Sequence, residues 1–297
     1  MESGWFGNGT VTEPRDPMTR HLKRLPGSLL GRTSIRLTLA CIAASVSTTT
    51  CGSKSSPVSA TSSAPRGTLL WAADHETGNM SQWYTDGGGG EFNSGAASST
   101  ASPDVAHSGG YSAKATIVTP GTSGVRLFRW NESRATPEAY YSAWFYFPRS
   151  YRIPDWWNIF SFKSRNGPVV NDAFWELEIG NRPGGAMYLY LDWWNGLTIE
   201  GPHRGEFGGR SYNQGVKDIP VANWTHIEVF LRQSGAFDGQ VIVWQDGVEL
   251  FNVKAVRTRY PPPNGVANEW SVNNYGDAIT PSPTTIYIDD AEIRAGS

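Results

Sequence analysis

Between Tyr140 and Trp194 the chain carries four short aromatic runs: YYSAWFYF (140–147), WWNIFSFKS (156–164), FWELEIG (174–180) and MYLYLDWWN (187–195). Pro, Gly and Asn separate them, and within each run core-forming residues alternate with other side chains. A period of two places successive side chains on opposite faces, so each run predicts a strand with one face in a core. The other face would carry Trp, Tyr, Glu, Asp and Lys. Aromatic rings stack on the C–H faces of sugar rings while polar edges hold hydroxyls, so such a face suits a sugar polymer.

No window shows a sustained helical period. With 33 Gly, 19 Pro and 12% aromatic residues among 297, a sandwich with many turns is favoured over a helical protein. Further strands are predicted at HSGGYSAKATIV (107–118), NWTHIEVFLR (223–232) and TTIYIDDAEIR (284–294). In the second of these Trp224, Ile227, Val229 and Leu231 suit the core, and His226 reads as structural. GQVIVWQDGVELFNV is a hairpin signal, since Asp246-Gly247 is the dipeptide a type I′ turn favours. GGGGEFNSGAASST (87–100) reads as a mobile loop, and 201–220 as a long Gly-rich connection holding His203, Arg204, Arg210 and Tyr212.

The first 51 residues read as an extension plus an export signal. From Met18 a basic stretch leads into the apolar run LTLACIAASV, which is too short to span a bilayer and suits a signal-peptide core. Residues 52–67, rich in Ser, Thr, Pro and Ala, predict a flexible tether, and residues 68–297 the folded domain. Of the 25 basic and 27 acidic residues, six and three precede Cys51. The remainder therefore holds 19 against 24, a net of −5. A mildly acidic domain is a poor nucleic-acid binder. The two cysteines, Cys41 and Cys51, both precede the β-rich region, which excludes a disulfide framework or a cysteine zinc site there.

Several segments in order carry a family resemblance: W-x2-D-x-E-T-G at 71–78, SGGYS at 108–112, YYSAWFYFP at 140–148, WTHIEV at 224–229, GQVIVWQDG at 239–247 and IYIDDAEI at 286–293. Together they resemble the concanavalin-A-like jelly rolls, most of all the polysaccharide-lyase-like (heparin lyase and glucuronan lyase type) and laminin-G-like secreted domains. The resemblance covers about Leu69 to Arg294. It implies an all-β jelly-roll sandwich of two antiparallel sheets, with the aromatic runs of 140–194 forming a concave sheet that holds a polysaccharide. It also implies a structural calcium ion (Ca2+) between the first and last strands, held by Glu76 with Asp289 or Asp290. STTTCGSKSS resembles the lipidation site of bacterial lipoproteins, with Cys51 as the lipidated residue, although Thr48-Thr49-Thr50 departs from the usual pattern. That would give an extracellular or membrane-anchored protein whose only contact with a membrane is the lipid.

Such a groove supports three kinds of chemistry. A β-eliminating lyase needs a base for the proton at sugar C5, a group to neutralise the uronate and an acid for the leaving oxygen. By resemblance to jelly-roll lyases, Tyr188 and Tyr190 would transfer protons, Lys163 and Arg126 or Arg129 would meet the uronate, and His203 could reach in from its loop. The Gln-x-His pair common in such lyases is replaced here by Ser161-Phe162-Lys163. A glycosidase would use Glu176 and Glu178, which stand at i and i+2 about 6.5–7 Å apart on one face. Its longer acidic motif is incomplete, because Gly180 stands at the third position. Non-catalytic glycan binding would need only platforms and polar edges, for which Trp144, Trp157, Trp194, Asp192 and Arg182 are candidates beside the arginines. A structural or adhesion module of the laminin-G type is the competing class.

Overall fold

The computed structural model describes residues 66–130, 136–166, 170–193, 210–261 and 265–296. The leader, the tether, Cys51, Trp194 and His203 lie outside the described residues. In chain order the strands are β1 (Thr68–Ala73), β2 (Gly89–Ser94), β3 (Ala97–Ser102), β4 (Ser112–Ile117), β5 (Ser123–Arg129), β6 (Glu138–Tyr146), β7 (Trp157–Asn166) and β8 (Val170–Asn181). They continue with β9 (Met187–Trp193), β10 (Arg210–Asn213), β11 (Trp224–Arg232), β12 (Gly239–Gln245), β13 (Val248–Val256), β14 (Gly265–Gly276) and β15 (Thr284–Ala295). A short 3-10 helix at Ser81–Gly87 is the sole helix among the described residues.

Two antiparallel sheets form the sandwich. One has eight strands, ordered β13-β12-β11-β6-β15-β4-β3, with β1 also paired to β15. The other has seven, ordered β10-β9-β8-β7-β14-β5-β2. Between them lie the inward-facing residues of both, and large rings join the layers. Tyr141 of β6 meets Phe162 of β7 at 4.9 Å and Trp270 of β14 at 5.6 Å, while Phe145 meets Phe160 at 6.4 Å. Burying such rings is the main stabilising term, at about 25 cal/mol per Å² of apolar surface removed from water.

The four aromatic runs, expected in one sheet, divide between two. β6 pairs with β11 and β15 in the eight-stranded sheet, whereas β7, β8 and β9 are neighbours in the other. Alternation sets which residues share a face but says nothing about which sheet a strand joins. The glycine-rich stretch at 87–100, expected as a loop, forms edge strands β2 and β3, one in each sheet. Its glycines allow a close approach: a Cβ on Gly89 would sit 2.1 Å from the carbonyl oxygen of Phe128. The Asp246-Gly247 turn between β12 and β13 has positive φ at both residues (48° and 77°), as a type I′ turn requires.

Candidate active site

The site is built on the open face of the seven-stranded sheet, and strand alternation puts it there. In β8, Trp175, Leu177 and Ile179 are buried in the core, so Glu176 and Glu178 point the other way. β9 buries Met187, Leu189 and Leu191 and turns Tyr188, Tyr190 and Asp192 outward. Register then aligns these side chains across strands. Glu176 stands opposite Asp192 on one side and Ser161 on the other, and Glu178 stands between Tyr190 and Asn158. Beyond β7, Ser271 of β14 pairs with Ser161, and Asn273 pairs with Arg126 of β5.

These residues form a polar network under little solvent. Ser161 Oγ lies 3.0 Å from Asn158 Oδ1 and 3.1 Å from Glu176 Oε1. Asn273 Nδ2 donates to Asn158 Oδ1 at 2.5 Å and to Ser161 Oγ at 3.1 Å. The phenol of Tyr190 donates to Glu178 Oε2. Three further polar atoms, Asp192 Oδ1, Ser271 Oγ and Asn273 Oδ1, are buried without a hydrogen-bond partner. Buried polar atoms normally find partners, and on this face these three have none within the protein.

The electrostatics are those of crowded acids. Burial pushes the Glu176 carboxyl up to about 7, even though Arg126, the Ser161 hydroxyl and Lys163 all act to lower it. Burial raises Glu178 well above the usual carboxylate range, the charge of Glu176 adds to that, and the Tyr190 hydrogen bond opposes it. Burial also raises Asp192. The Tyr190 phenol is held protonated by burial and by the charge of Glu178. On the far side of the face, the Arg126 guanidinium lies 4.2 Å from the ring centre of Tyr275 and 5.8 Å from that of Phe92. Among the described residues no carboxylate forms an ion pair with it.

Of the residues expected at the site, Tyr188, Tyr190, Glu176, Glu178, Asp192, Arg126 and Lys163 share this face. Tyr188 Oη donates to Asn213 Oδ1 at 3.1 Å, and Lys163 Nζ is held 3.2 Å from Glu269 Oε1 in a mostly buried cross-strand pair. Four others belong elsewhere. Arg129 alternates with Phe128 and so points into the core, 1% exposed, where its Nη1 donates to the carbonyls of Trp83 (2.9 Å) and Thr85 (2.8 Å). Trp157 is fully buried, with Nε1 donating to Asn274 Oδ1 at 2.9 Å; its neighbour Trp156 remains outside, edge-on to Tyr275 at 4.6 Å. Trp144 follows β6 to the outer face of the eight-stranded sheet and stacks on His107 at 3.7 Å. Arg182 lies 4.4 Å over the Tyr188 ring, donates to Asp218 and to the Gln214 carbonyl (2.9 Å), and so anchors a connection between strands. Ser161 enters the sequence reading only as the residue in place of a lyase Gln, and Asn158, Ser271 and Asn273 do not enter it. Their only signal is alternation against Phe160, Trp270 and Val272, and a register shift between Asn158 and Phe160 obscures part of it.

The carboxylates expected to hold calcium are otherwise engaged. Both oxygens of Glu76 accept the Gly110 N–H (2.9 and 3.0 Å), and Oε1 also accepts from Tyr111 at 2.8 Å. Asp289 is fully buried; its Oδ2 accepts the His107 N–H at 2.8 Å and its Oδ1 the Asp290 N–H at 2.9 Å. Asp290 accepts the Ser108 hydroxyl at 2.7 Å and lies 2.6 Å from His107 Nδ1. Calcium takes oxygen ligands, and here each carboxylate faces N–H and O–H donors. These contacts fasten the 107–111 segment to Glu76, just after β1, and to β15.

The sandwich is similar to that of an endo-β-1,4-glucuronan lyase from the fungus Trichoderma reesei, at 16% identity and a TM-score of 0.55, over 77% of this chain and 96% of that one. It is also similar to the marine PL-14 alginate lyase from Aplysia kurodai, at 13% identity and a TM-score of 0.52, over 77% and 99% of the two chains. At these identities the likeness shows the fold. A search of curated proteins finds no match. The model of the polysaccharide lyase family matches residues 75–290, which take in β2 to β14, the first half of β15 and every described residue of the acidic face. The chain belongs to the polysaccharide lyase family.

Proposed function

We propose that this protein is an exported lyase that binds a uronate-containing polysaccharide across the open face of the seven-stranded sheet and cleaves it by β-elimination. The observation that carries this reading is the placement of Arg126, a cation with no ion-pair partner among the described residues, on the same face as Tyr190 and the three orphaned polar atoms. Elimination needs the uronate carboxylate neutralised so that the C5 proton becomes acidic, which is the task of Arg126. Lys163 contributes less, because Glu269 already holds it. In this reading Tyr190 moves the proton at C5 and at the leaving O4. Asp192, Ser271 and Asn273 offer partners to sugar hydroxyls.

The polymers named for the two similar lyases, glucuronan and alginate, are the first substrates to try, followed by pectate and glycosaminoglycans. The measurement is the ultraviolet absorbance of the new C4=C5 double bond. Silence on all of them would sink the lyase reading. A second reading rests on Glu176 and Glu178, two acids with raised proton affinity two residues apart on one face, which could serve hydrolysis. Reducing ends released without that absorbance would favour it. Export rests on the basic stretch and apolar run before Cys51 and on the lipoprotein-like residues around it. Incorporation of labelled fatty acid that is lost in Cys51→Ser tests the anchor.

A further inference from the structure

We propose that Tyr190 and Glu178 work as one proton relay, in which Glu178 is the terminal acceptor for the proton that Tyr190 takes from C5. This rests on the β-elimination reading above. The Tyr190 hydroxyl donates directly to Glu178 Oε2, which leaves the lone pairs of the phenol oxygen for substrate. Register makes the pair a fixed one, because Tyr190 and Glu178 are directly opposed on adjacent strands. Among the described residues no histidine shares this face. His75 is buried against Asp289 and Trp83, and His107 and His226 flank Trp144 on the other sheet.

Tyr190 acting alone would be a poor base. Its phenolate would form in a buried site beside the negative charge of Glu178, and both conditions disfavour it. A concerted transfer avoids that species. As the C5–H bond breaks and its proton reaches the phenol oxygen, the phenolic proton crosses to Glu178. Negative charge thereby leaves the Glu178 carboxylate and appears on the uronate, where Arg126 stabilises it. The C5 electron pair then forms the C4=C5 double bond as the C4–O4 bond breaks. O4 takes the proton from Tyr190, which recovers its own from Glu178. Both side chains return to their starting states, and no outside acid or base is consumed. The relay starts from ionised Glu178, whose proton affinity burial and the Glu176 charge raise, so kcat should climb with pH as that carboxyl loses its proton.

Glu178→Gln tests the relay, since the amide still accepts the Tyr190 hydrogen bond but cannot take a proton. On a uronate polymer that the wild-type chain cleaves, kcat should fall roughly 10²-fold or more with KM changed little. Tyr190→Phe should fall by a similar factor, and the double variant should fall no further than the worse single one. Tyrosinate absorbance supplies a readout without substrate: removing the charge of Glu178 should let Tyr190 ionise at lower pH. Folding is checked by the thermal transition of each variant. A Glu178→Gln enzyme with wild-type kcat overturns the relay alone. So does a His203→Ala variant that loses activity while Glu178→Gln keeps it. Wild-type silence on every uronate overturns the lyase reading itself and the relay with it.

Discussion

Ser161 and Glu176 face each other across β7 and β8 with the serine Oγ 3.1 Å from the carboxyl Oε1, and that hydroxyl is the one side-chain hydrogen bond seen at a carboxyl buried to 7% exposure. One neutral partner cannot offset the loss of water around a charge, which is why the carboxyl holds its proton up to about 7. The folded-state value lies above the ordinary 4.5, so the folded protein binds more protons than the unfolded chain between those two values. Stability must therefore fall as pH rises across that window and level off above it, with a total loss on the order of 3 kcal/mol. Glu176→Gln should remove its share of this slope and leave that of Glu178 and Asp192. Its thermal midpoint should exceed the wild type by several degrees at about pH 8 and match it at about pH 5. Equal pH slopes in both proteins would contradict the assignment.

The orphaned hydroxyl of Ser271 makes a sharper distinction between binding and structure. A buried hydroxyl with no partner costs stability, so Ser271→Ala should leave the thermal midpoint unchanged or raise it slightly. A glycan that supplies the missing partner loses one hydrogen bond in the variant, worth about 1 kcal/mol, or roughly fivefold in affinity. Binding measured on the chosen polymer should weaken by about that factor. A destabilised variant with unchanged affinity would place Ser271 in the scaffold instead.

Asp289 closes the sandwich from the last strand. It accepts backbone N–H groups of His107 and Asp290 and lies 3.5 Å from Nδ1 of His75, and the other ring nitrogen of His75, Nε2, lies 3.1 Å from the donating indole Nε1 of Trp83. Asp289→Ala would leave those donors buried and unpaired, at a cost of about 3–5 kcal/mol in denaturant unfolding. Because protein donors already satisfy this carboxylate and Glu76, a chelator should not shift the thermal midpoint of the wild type. A midpoint that falls with chelator and recovers with calcium would show that the ion displaces these contacts.

Much of the sandwich was legible because its strands obey simple alternation. β8 and β9 are the clearest case: once Trp175, Leu177 and Leu189 are assigned inward, Glu176, Glu178, Tyr188, Tyr190 and Asp192 must face outward together. β14 was missed. Its sequence GVANEWSVNNYG follows PPPN, its first residue completing the turn signal Asn-Gly, and contains Asn-Asn, yet tertiary pairing with β5 and β7 makes it a central strand. With β14 missed, Ser271 and Asn273 were invisible as site residues. Trp144 failed for a different reason, since its run has the same pattern as its neighbours but joins the opposite sheet. Adjacent tryptophans are ambiguous by nature: one of Trp156 and Trp157 had to face inward, and nothing local says which.

Arg126 and Arg129 show how far three residues can separate two roles. They alternate to opposite faces of β5, one stacked on exposed-side rings and the other sealed among Trp71, Trp83 and the carbonyls it binds. Arg129→Ala should destabilise the fold by about 2–4 kcal/mol, since charge-assisted hydrogen bonds are lost and the Trp83 and Thr85 carbonyls lose a donor. Lysine should not rescue it fully, because an ammonium cannot reproduce the planar guanidinium stacked 5.1 Å from Trp71. Arg126→Ala should do the reverse: it loses the contact with the Tyr275 ring, about 0.5–1 kcal/mol of stability, while cleavage of a uronate polymer falls at least tenfold. Arg126→Lys should recover part of that loss, because a point charge still meets a carboxylate. Thermal unfolding and initial rates on the same four proteins decide the matter. A larger stability loss in Arg126→Ala than in Arg129→Ala would reverse the assignment of the two arginines.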